Sequence, residues 1–472
     1  MSISAEQVGL LLASTISSDE VSVRSATAAL ESAQAIPGFP FILLSLSSGL
    51  ANDGRCLAAA TYLKNLLKAQ WNKPEFMAII ERPVFRNQLV DALLRADISV
   101  LKTLAEAFHI ILCDDFVQTN TWPELIPAMR TALQMSNLVN ASGSVEIRAF
   151  NVLVALQAMV KPFRYFMNPK VAREPVPEQL ELISKDLLAP LHQYFHSLVE
   201  EVKLTKGNGA SSSDGSLLVL CKCFHLAVRS HMPSSLLPNL GSWCEDLLLL
   251  VGCIEVQFKL EGVDQLSRMK SWKRALQIFC SLVIRHRRYI DRLLSKWLSV
   301  LLDVVRKAAF AKDLHSMQER VISSAFDAIS NIFETGPGWR IVSSHFSSLL
   351  EGAIFPALKF KEKDILDWNE DQEEYLRKNL PSDMDNTTGW RDDLYTPRRS
   401  ALNLLGLIST SKGPPIFVGS NDVSATKRKK AGKNGNIKDS QGTAGELLIV
   451  PFLSKFSVPT ENSPLTSEPV VK

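Results

Sequence analysis

Apolar residues recur along this chain at spacings of three and four, and almost nowhere alternate with polar ones at a spacing of two. The first spacing gathers them on one stripe of an α-helix and the second would mark strands, so the fold expected is all-α. The stretch 54–71 shows the rule. Cys56, Ala59, Ala60, Leu63, Leu66 and Leu67 share one stripe, while Arg55, Thr61, Lys64, Asn65 and Lys68 fall on the remaining surface. Asn52-Asp53-Gly54 marks its start, because an Asn or Asp side chain can accept from the unpaired amides of a first turn. Trp71 ends it.

The same pattern predicts helices over 3–17, 20–33, 38–51, 54–71, 84–96, 98–113, 122–136, 144–160 and 177–203. It continues over 215–230, 236–253, 263–286, 289–311, 315–334, 339–359, 370–379 and 396–409. Pro and Gly separate them at Ile36-Pro37-Gly38, Lys73-Pro74, Met167-Asn168-Pro169 and Gly336-Pro337-Gly338, as helix-to-helix turns require.

Paired helices restart about every 45 to 50 residues, with a longer interval around 160–215, close to the HEAT and armadillo period of about 40 to 47 and far from the 34 of tetratricopeptide repeats. A two-helix unit cannot bury its apolar face alone, and stacking neighbours supplies one continuous core. The expected architecture is a HEAT/armadillo-type solenoid, a right-handed superhelix of antiparallel helix pairs; a large irregular α-bundle is the competing arrangement. Residues 1–135 read as the first repeats, and 136–360 as an array interrupted by a flexible Gly/Ser loop at 205–215. Residues 361–409 read as an acidic segment and a last repeat helix, and 410–472 as a disordered basic and Pro/Ser-rich tail.

Composition narrows the function. With 46% hydrophobic and 21% charged residues in 472, the chain has ample material for a core. A net charge of +3 is too balanced for whole-surface binding of nucleic acid or membrane. Seven cysteines, at 56, 113, 221, 223, 244, 253 and 280, lie within apolar helical text and read as reduced, buried thiols. The N-terminus lacks the basic and apolar regions of a secretory signal. The most apolar run, Leu247 to Ile254, is far short of the roughly 18 to 20 residues of a membrane helix. A soluble, intracellular protein without membrane insertion or direct DNA contact is the expectation.

"RCLAAATYLKNLLKAQW", followed by "FRNQLVDALL", resembles the N-terminal signature of the importin-β (karyopherin-β) family, in which a helix reads roughly A-A-x-x-L-K-N-x-x-x-x-x-W. The resemblance extends through "ISVLKTLAEAFHIILCDDF" to "WPELIPAM". Farther on, "DWNEDQEEYLRKNL", an acidic stretch and "LYTPRRSALNLL" resemble the family's mid-chain W-x-x-x-P-E-E-Y-[IL]-R segment before an RR-x-A helix. The branch most alike holds the importin-7/8/11 type and the exportin of importin-α. Asp371-Gln372 departs from the family by standing where a proline is common. The chain also ends after about eight repeats, about half the length of full receptors.

The resemblance implies a nuclear transport receptor moving between cytoplasm, nucleus and the nuclear envelope. Its N-terminal repeats would bind Ran in the GTP form, outer helices would offer grooves to Phe-Gly nucleoporins, and the concave surface would carry protein cargo. Lys64, Asn65, Lys68 and Trp71 are then candidates for the Ran-facing surface. The structural alternative has Asn65 tying adjacent turns together and Trp71 closing a hydrophobic layer.

Residues 361–395 hold eleven Asp or Glu against five Lys or Arg, a local charge of −6. Asp367, Glu370, Asp371, Glu373 and Glu374, interleaved with Trp368, Tyr375 and Trp390, suit a latch for a basic GTPase or cargo, raising association rate more than affinity. A solvated loop joining two helices is the alternative. The basic run Lys427, Arg428, Lys429 and Lys430 suits a nuclear localisation signal or a contact to RNA or acidic cargo, against a merely solvated tail.

Chemistry is otherwise sparse. Cys221, Cys223 and His225 are spaced by two, which on a helix points them apart. His192 and His196 share a face but lack an HExxH pattern. Glycines 207, 209 and 215 lack the Lys-Ser/Thr of a phosphate loop, and no G-x-S-x-G elbow occurs. No catalytic, metal or cofactor site is expected. Phe108, Phe150, Phe224, Phe279, Phe326 and Phe333 read as core. A scaffold that assembles protein complexes without any GTPase coupling is the second functional class.

Overall fold

Ala5–Ser14 (α1), Glu20–Ala33 (α2), Phe39–Ser47 (α3) and Arg55–Gln70 (α4) open a chain built of helices. Pro74–Ile79 (α5), Arg82–Arg95 (α6), Ile98–Leu112 (α7), Leu125–Met135 (α8) and Ala149–Val160 (α9) follow. Then come Glu178–Ile183 (α10), His192–Thr205 (α11), Asp214–Val228 (α12), Leu240–Gly252 (α13) and Val263–Arg285 (α14). Leu294–Ala309 (α15), Ser316–Phe333 (α16), Gly336–Ser343 (α17), Phe346–Leu349 (α18) and Phe355–Leu358 (α19) continue the series. Glu362–Glu370 (α20), Gln372–Asn379 (α21), Pro397–Thr410 (α22) and Val450–Ser454 (α23) complete it. This computed structural model describes residues 3–49, 54–139, 148–164, 175–205, 213–255, 263–311, 314–379, 396–412 and 443–454. Among the described residues there is no β-strand.

Two compact units form, one from residues 1–200 with 212–243, the other from 201–211 with 244–472. In the first, α4, α7, α9 and α12 pack side by side in succession, while α3 and α6 pack against each other and beneath them. The layering is that of stacked two-helix repeats, each burying the face its neighbour leaves open. The helices of the successive row begin at Arg55, Ile98, Ala149 and Asp214, and the longest interval is the one anticipated around 160–215. In the second unit α14, α16 and α22 make the corresponding row, with α15 against α16.

Local sequence sets the ends. Ser4 and Gln7 form a reciprocal capping box for α1, and Asp19 accepts from Val21 and Ser22 at the start of α2. The N-cap of α4 is Gly54 at φ +80°, without a side-chain cap; Asn52 and Asp53, expected to cap it, lie outside the described residues. A glycine suits that left-handed position because it carries no Cβ. Gly336-Pro337-Gly338 does not separate helices but opens one. Thr335 caps α17 by accepting from the Gly338 amide, and a Cβ on Gly338 would lie 1.9 Å from the Ile332 carbonyl oxygen.

The whole stripe anticipated on α4 is buried, from Cys56 to Leu67. Each fully buried leucine contributes roughly 1.5–3 kcal/mol. Trp243 closes the core of the first unit, stacked on Phe224 at 4.4 Å and on Phe195 at 4.7 Å between ring centroids. Five of the six phenylalanines read as core are buried; Phe150 is half-exposed and lines a surface groove.

Other expectations are revised. Helices α5 and α20 are not part of the expected pattern, and the block 339–359 holds the end of α17 and then an unbroken helical run, 346–358, in which a π-helical stretch joins α18 to α19. Asp214 and Gly215, placed in the flexible loop, are the first turn of α12. Residues 443–454, placed in the disordered tail, are helical, with Phe452 against Phe355 at 5.7 Å and the Ala444 amide donating to Ser411 O at 2.9 Å. Among the described residues no single helix is long and apolar enough to cross a membrane; α17 and the run 346–358 meet that test only as a pair bent by 75°.

Candidate functional site

The end of α4 is tied into a buried polar knot. After Leu112, α7 widens into a π-helical turn, Cys113–Gln118, which turns both Asp115 and Phe116 inward. Asp115, 1% exposed, accepts from Trp71 Nε1 at 3.2 Å and from Arg86 Nε at 2.7 Å. Arg82 Nη1 lies 3.4 Å from the same carboxylate, and its other amino group donates to the Trp71 carbonyl. Arg86 also donates to Thr121 O at 2.8 Å and lies over the ring of Trp122, while Arg82 stacks 4.5 Å above Trp71. A carboxylate out of water needs such partners, because a buried unpaired charge is strongly destabilising.

Trp71 is therefore withdrawn from any partner-facing surface: it is 2% exposed, and its polar atom is already engaged. The geometry agrees with its layer-closing alternative. Asn65 is exposed with no turn-tying contact among the described hydrogen bonds, which removes the structural role considered for it. Lys68 is exposed too, while half-exposed Lys64 reaches across to Glu106 on α7 at 3.4 Å. Lys64, Asn65 and Lys68 thus present one polar, cationic edge of α4.

In the second unit the acidic segment is not a loop over its described part but two helices, α20 and α21. Residues 380–395, with Trp390, lie outside the described residues. Asp367, Glu370, Asp371 and Glu373 are exposed, and Asp371 also caps α21 by accepting from the Glu374 amide at 2.9 Å. Glu374 is half-buried and paired with Lys378 at 2.6 Å. Asp367, Glu370, Asp371 and Glu374, together with Lys361 and Lys363, rim a cavity of about 690 Å³ floored by Val305, Ile322 and Phe326; Glu373 lies outside its lining.

That cavity has a clamp. Arg398 of α22 donates to both oxygens of Asp364, at 2.7 and 2.6 Å, and to the Tyr375 hydroxyl, which itself donates to Asp364 at 3.1 Å. Burial pushes the Tyr375 hydroxyl up to about 12, so it stays a donor at neutral pH. Burial opposes the charge on Lys363, but Glu319, 3.1 Å away, and Asp367 and Asp364 outweigh it and raise its pKa. Thr396 joins the two elements by accepting from the Arg399 amide and donating to Asn379 Oδ1 at 2.9 Å. Tyr375 and the Arg398-Arg399 pair belong to the two halves of the mid-chain motif, here one folded contact.

The basic run 427–430 lies outside the described residues. Among the described residues no group of three or more His, Cys, Asp or Glu is arranged to hold a metal ion. Cys221, Cys223 and His225 are buried on α12, and His192 packs its ring on Trp243.

Residues 26–95 match the importin-beta N-terminal domain, which takes in α4, α6 and the Trp71 contact with Arg82. Over 94% of its length the chain is 22% identical to Exportin-2 of Mus musculus, covering 44% of that protein. The N-terminal segment 26–95 is thus similar to the importin-beta N-terminal domain, and the chain as a whole is similar to Exportin-2. Exportin-2 of Pagrus major is also 22% identical, over 88% of this chain and 42% of the relative. The fold resembles a solved structure described as the exportin Cse1 in its cargo-free, cytoplasmic state, at a TM-score of 0.66 and 16% identity. That likeness covers 85% of this chain and 42% of the other. The chain thus spans a little under half the length of the curated relatives it matches, and its helical-repeat fold is shared with the solved exportin.

Two residues of the site escaped sequence reading. Asp115 sits in the quoted "CDDF" without any sign that it pairs with Arg86, 29 positions away. Asn151, in an apolar run of α9, is buried and donates from Nδ2 to the carbonyls of Leu93, Leu94 and Ala96, closing the C-terminus of α6. A lone Asn within an apolar helix was the available signal, since such a residue is tolerated there only with partners.

Proposed function

We propose that the chain acts as a nuclear transport receptor of the karyopherin-β type, shuttling between cytoplasm and nucleus and engaging Ran in its GTP form, Phe-Gly nucleoporins and protein cargo. The observation that carries this reading is the importin-beta N-terminal match at 26–95, because it contains the whole cationic edge of α4. Lys64, Asn65 and Lys68 are the Ran-facing candidates; Trp71, also a candidate by sequence, is buried and is left out of that surface. Exposed ion pairs contribute only about 0.2–1 kcal/mol each, so the Ran surface must extend beyond these three side chains.

The exposed acids Asp367, Glu370, Asp371 and Glu373 would meet a basic surface of the GTPase or of cargo and accelerate its arrival. Lys427 to Lys430 would serve as a localisation signal. The working principle is linkage: Ran and cargo on coupled surfaces change each other's affinity reciprocally. No catalytic step is assigned to the chain. Pull-down of the full chain with Ran loaded with GTP or GDP tests the proposal. Retention of the GTP form alone supports it, and equal retention or none returns the protein to the scaffold class.

A further inference from the structure

Across the exposed faces of α7, α9 and α12 runs a groove of about 340 Å³. Its floor is apolar, made by Leu101, Ala105, Val154, Ala158 and Val219, with the ring of Phe150 along one wall. Ile98 stands at its mouth, 71% exposed. Three lysines from three different helical segments border it: Lys102 on α7, Lys161 just after α9, and Lys222 on α12. Glu106 is the one carboxylate among the described lining residues, and Lys64 already holds it at 3.4 Å. His109 adds no charge of its own, because burial and the nearby Lys161 keep its imidazole neutral, with Nδ1 3.2 Å from the Ala158 carbonyl oxygen.

We propose that this groove is a docking site for an acidic peptide segment of a partner protein that carries bulky apolar anchors. The occupant follows from complementarity of charge and surface together. The exposed Lys102 and Lys161, with Glu106 between them already held by Lys64, favour Asp and Glu on the incoming chain, and opposite potentials across an interface set which partner is accepted. Exposed charges alone hold a partner weakly, so affinity must come from side chains that cover the apolar floor. An amphipathic helix laid into a groove supplies both at once, with anchors on one face and acids on its flanks. A nucleic acid satisfies the lysines but leaves Val154, Val219 and Phe150 against water. A neutral Phe-Gly segment covers the floor but leaves the lysines unused. The site adjoins Lys64 through Glu106, and the proposal does not depend on Ran.

The test uses the full chain and fluorescence anisotropy. The probe is a short fluorescein-labelled peptide in which Asp and Glu alternate with Leu and Phe. Its comparators carry Ser for Leu and Phe, Lys for the acids, or are oligothymidine. The acidic apolar peptide is expected to bind about tenfold or more tighter than every comparator, and to weaken as salt is raised. Lys102→Glu combined with Lys161→Glu, both at exposed positions, is expected to weaken it by about tenfold or more while circular dichroism is unchanged. A second measurement avoids any doubt about the variant: lysine acylation of the unmutated chain, read by mass spectrometry, should slow at Lys102 and Lys161 when the peptide is added. Equal binding of the Ser-substituted peptide or of oligothymidine, unchanged affinity in the double variant, or unaltered acylation would each overturn the proposal.

Discussion

The indole of Trp71, at the end of α4, donates to the carboxylate of Asp115, in the π turn that ends α7, across 3.2 Å. The same carboxylate holds Arg86 of α6 at 2.7 Å, so one buried acid joins α4, α6 and α7. Asp115→Ala would strand the Arg86 guanidinium, itself only 5% exposed. Breaking a buried pair this way costs about 3–5 kcal/mol. Urea unfolding of the two proteins measures it, and a loss below about 1 kcal/mol would remove the knot from the account. Trp71→Phe keeps most of the ring and loses the donor, for which a smaller cost of about 1–3 kcal/mol is expected.

Asn151 is the counterpart at α9. Its amide satisfies carbonyls that the last turn of α6 cannot pair within the helix. Asn151→Leu is close in size but leaves those oxygens without a donor, and about 1–3 kcal/mol of stability should be lost. Thermal unfolding gives the number; an unchanged midpoint would mean that water replaces the amide at no cost.

Glu181 of α10 accepts from Ser234 N, Ser234 Oγ and Ser235 N, at 2.9, 2.7 and 2.8 Å, and so caps the turn at 234–239. Partial burial acts to raise its pKa, yet the hydrogen bonds from Ser234 and Ser235 outweigh it and lower the carboxyl below its ordinary value. A depressed folded pKa stabilises above the unfolded value and loses that contribution as pH falls through the folded one. Glu181→Gln should therefore lower stability at neutral pH by about 1 kcal/mol, the usual worth of a cap. The gap between the two proteins should close in acid, below about pH 4. Melting curves across that range decide it, and a gap independent of pH would refute the charge assignment.

Arg398 binds Asp364 and Tyr375 and lies 5.2 Å above the ring of Phe360, so α22 holds α20 and α21 in place. Arg398→Met should speed amide hydrogen exchange throughout 362–379 while leaving α4 and α7 unaffected. Exchange that stays slow in α20 and α21 would show that other contacts fix the acidic helices.

Helices were legible because burial follows the 3.6-residue stripe, as Cys56 to Leu67 show without exception. Repeat spacing was legible for the same reason, since each unit must present a second apolar face to the next. Partners of polar residues were not. Asp115 and Arg86, or Asp364 and Arg398, lie 29 and 34 positions apart, and only the packing of α6, α7, α20 and α22 brings them together. Trp71 was quoted as a family marker, but nothing local tells a buried indole from an exposed one; its burial depends on Phe76, Phe85 and Arg82 arriving from beyond the helix. Helix α20 was missed because Glu362 to Glu370 reads as a charged loop. Its few apolar residues, such as exposed Leu366, give no stripe to follow.

The account rests most heavily on the cationic edge of α4 as a Ran-facing surface, and titration calorimetry of the full chain with Ran tests it most directly. Lys64→Glu with Lys68→Glu removes that edge, and as an exposed change it should cost no more than about 1 kcal/mol of stability. The account predicts binding of the GTP form but not the GDP form by the unmutated chain, weakened about tenfold or more in the double variant. Equal affinity for both nucleotide forms, or full affinity in the variant, would contradict it.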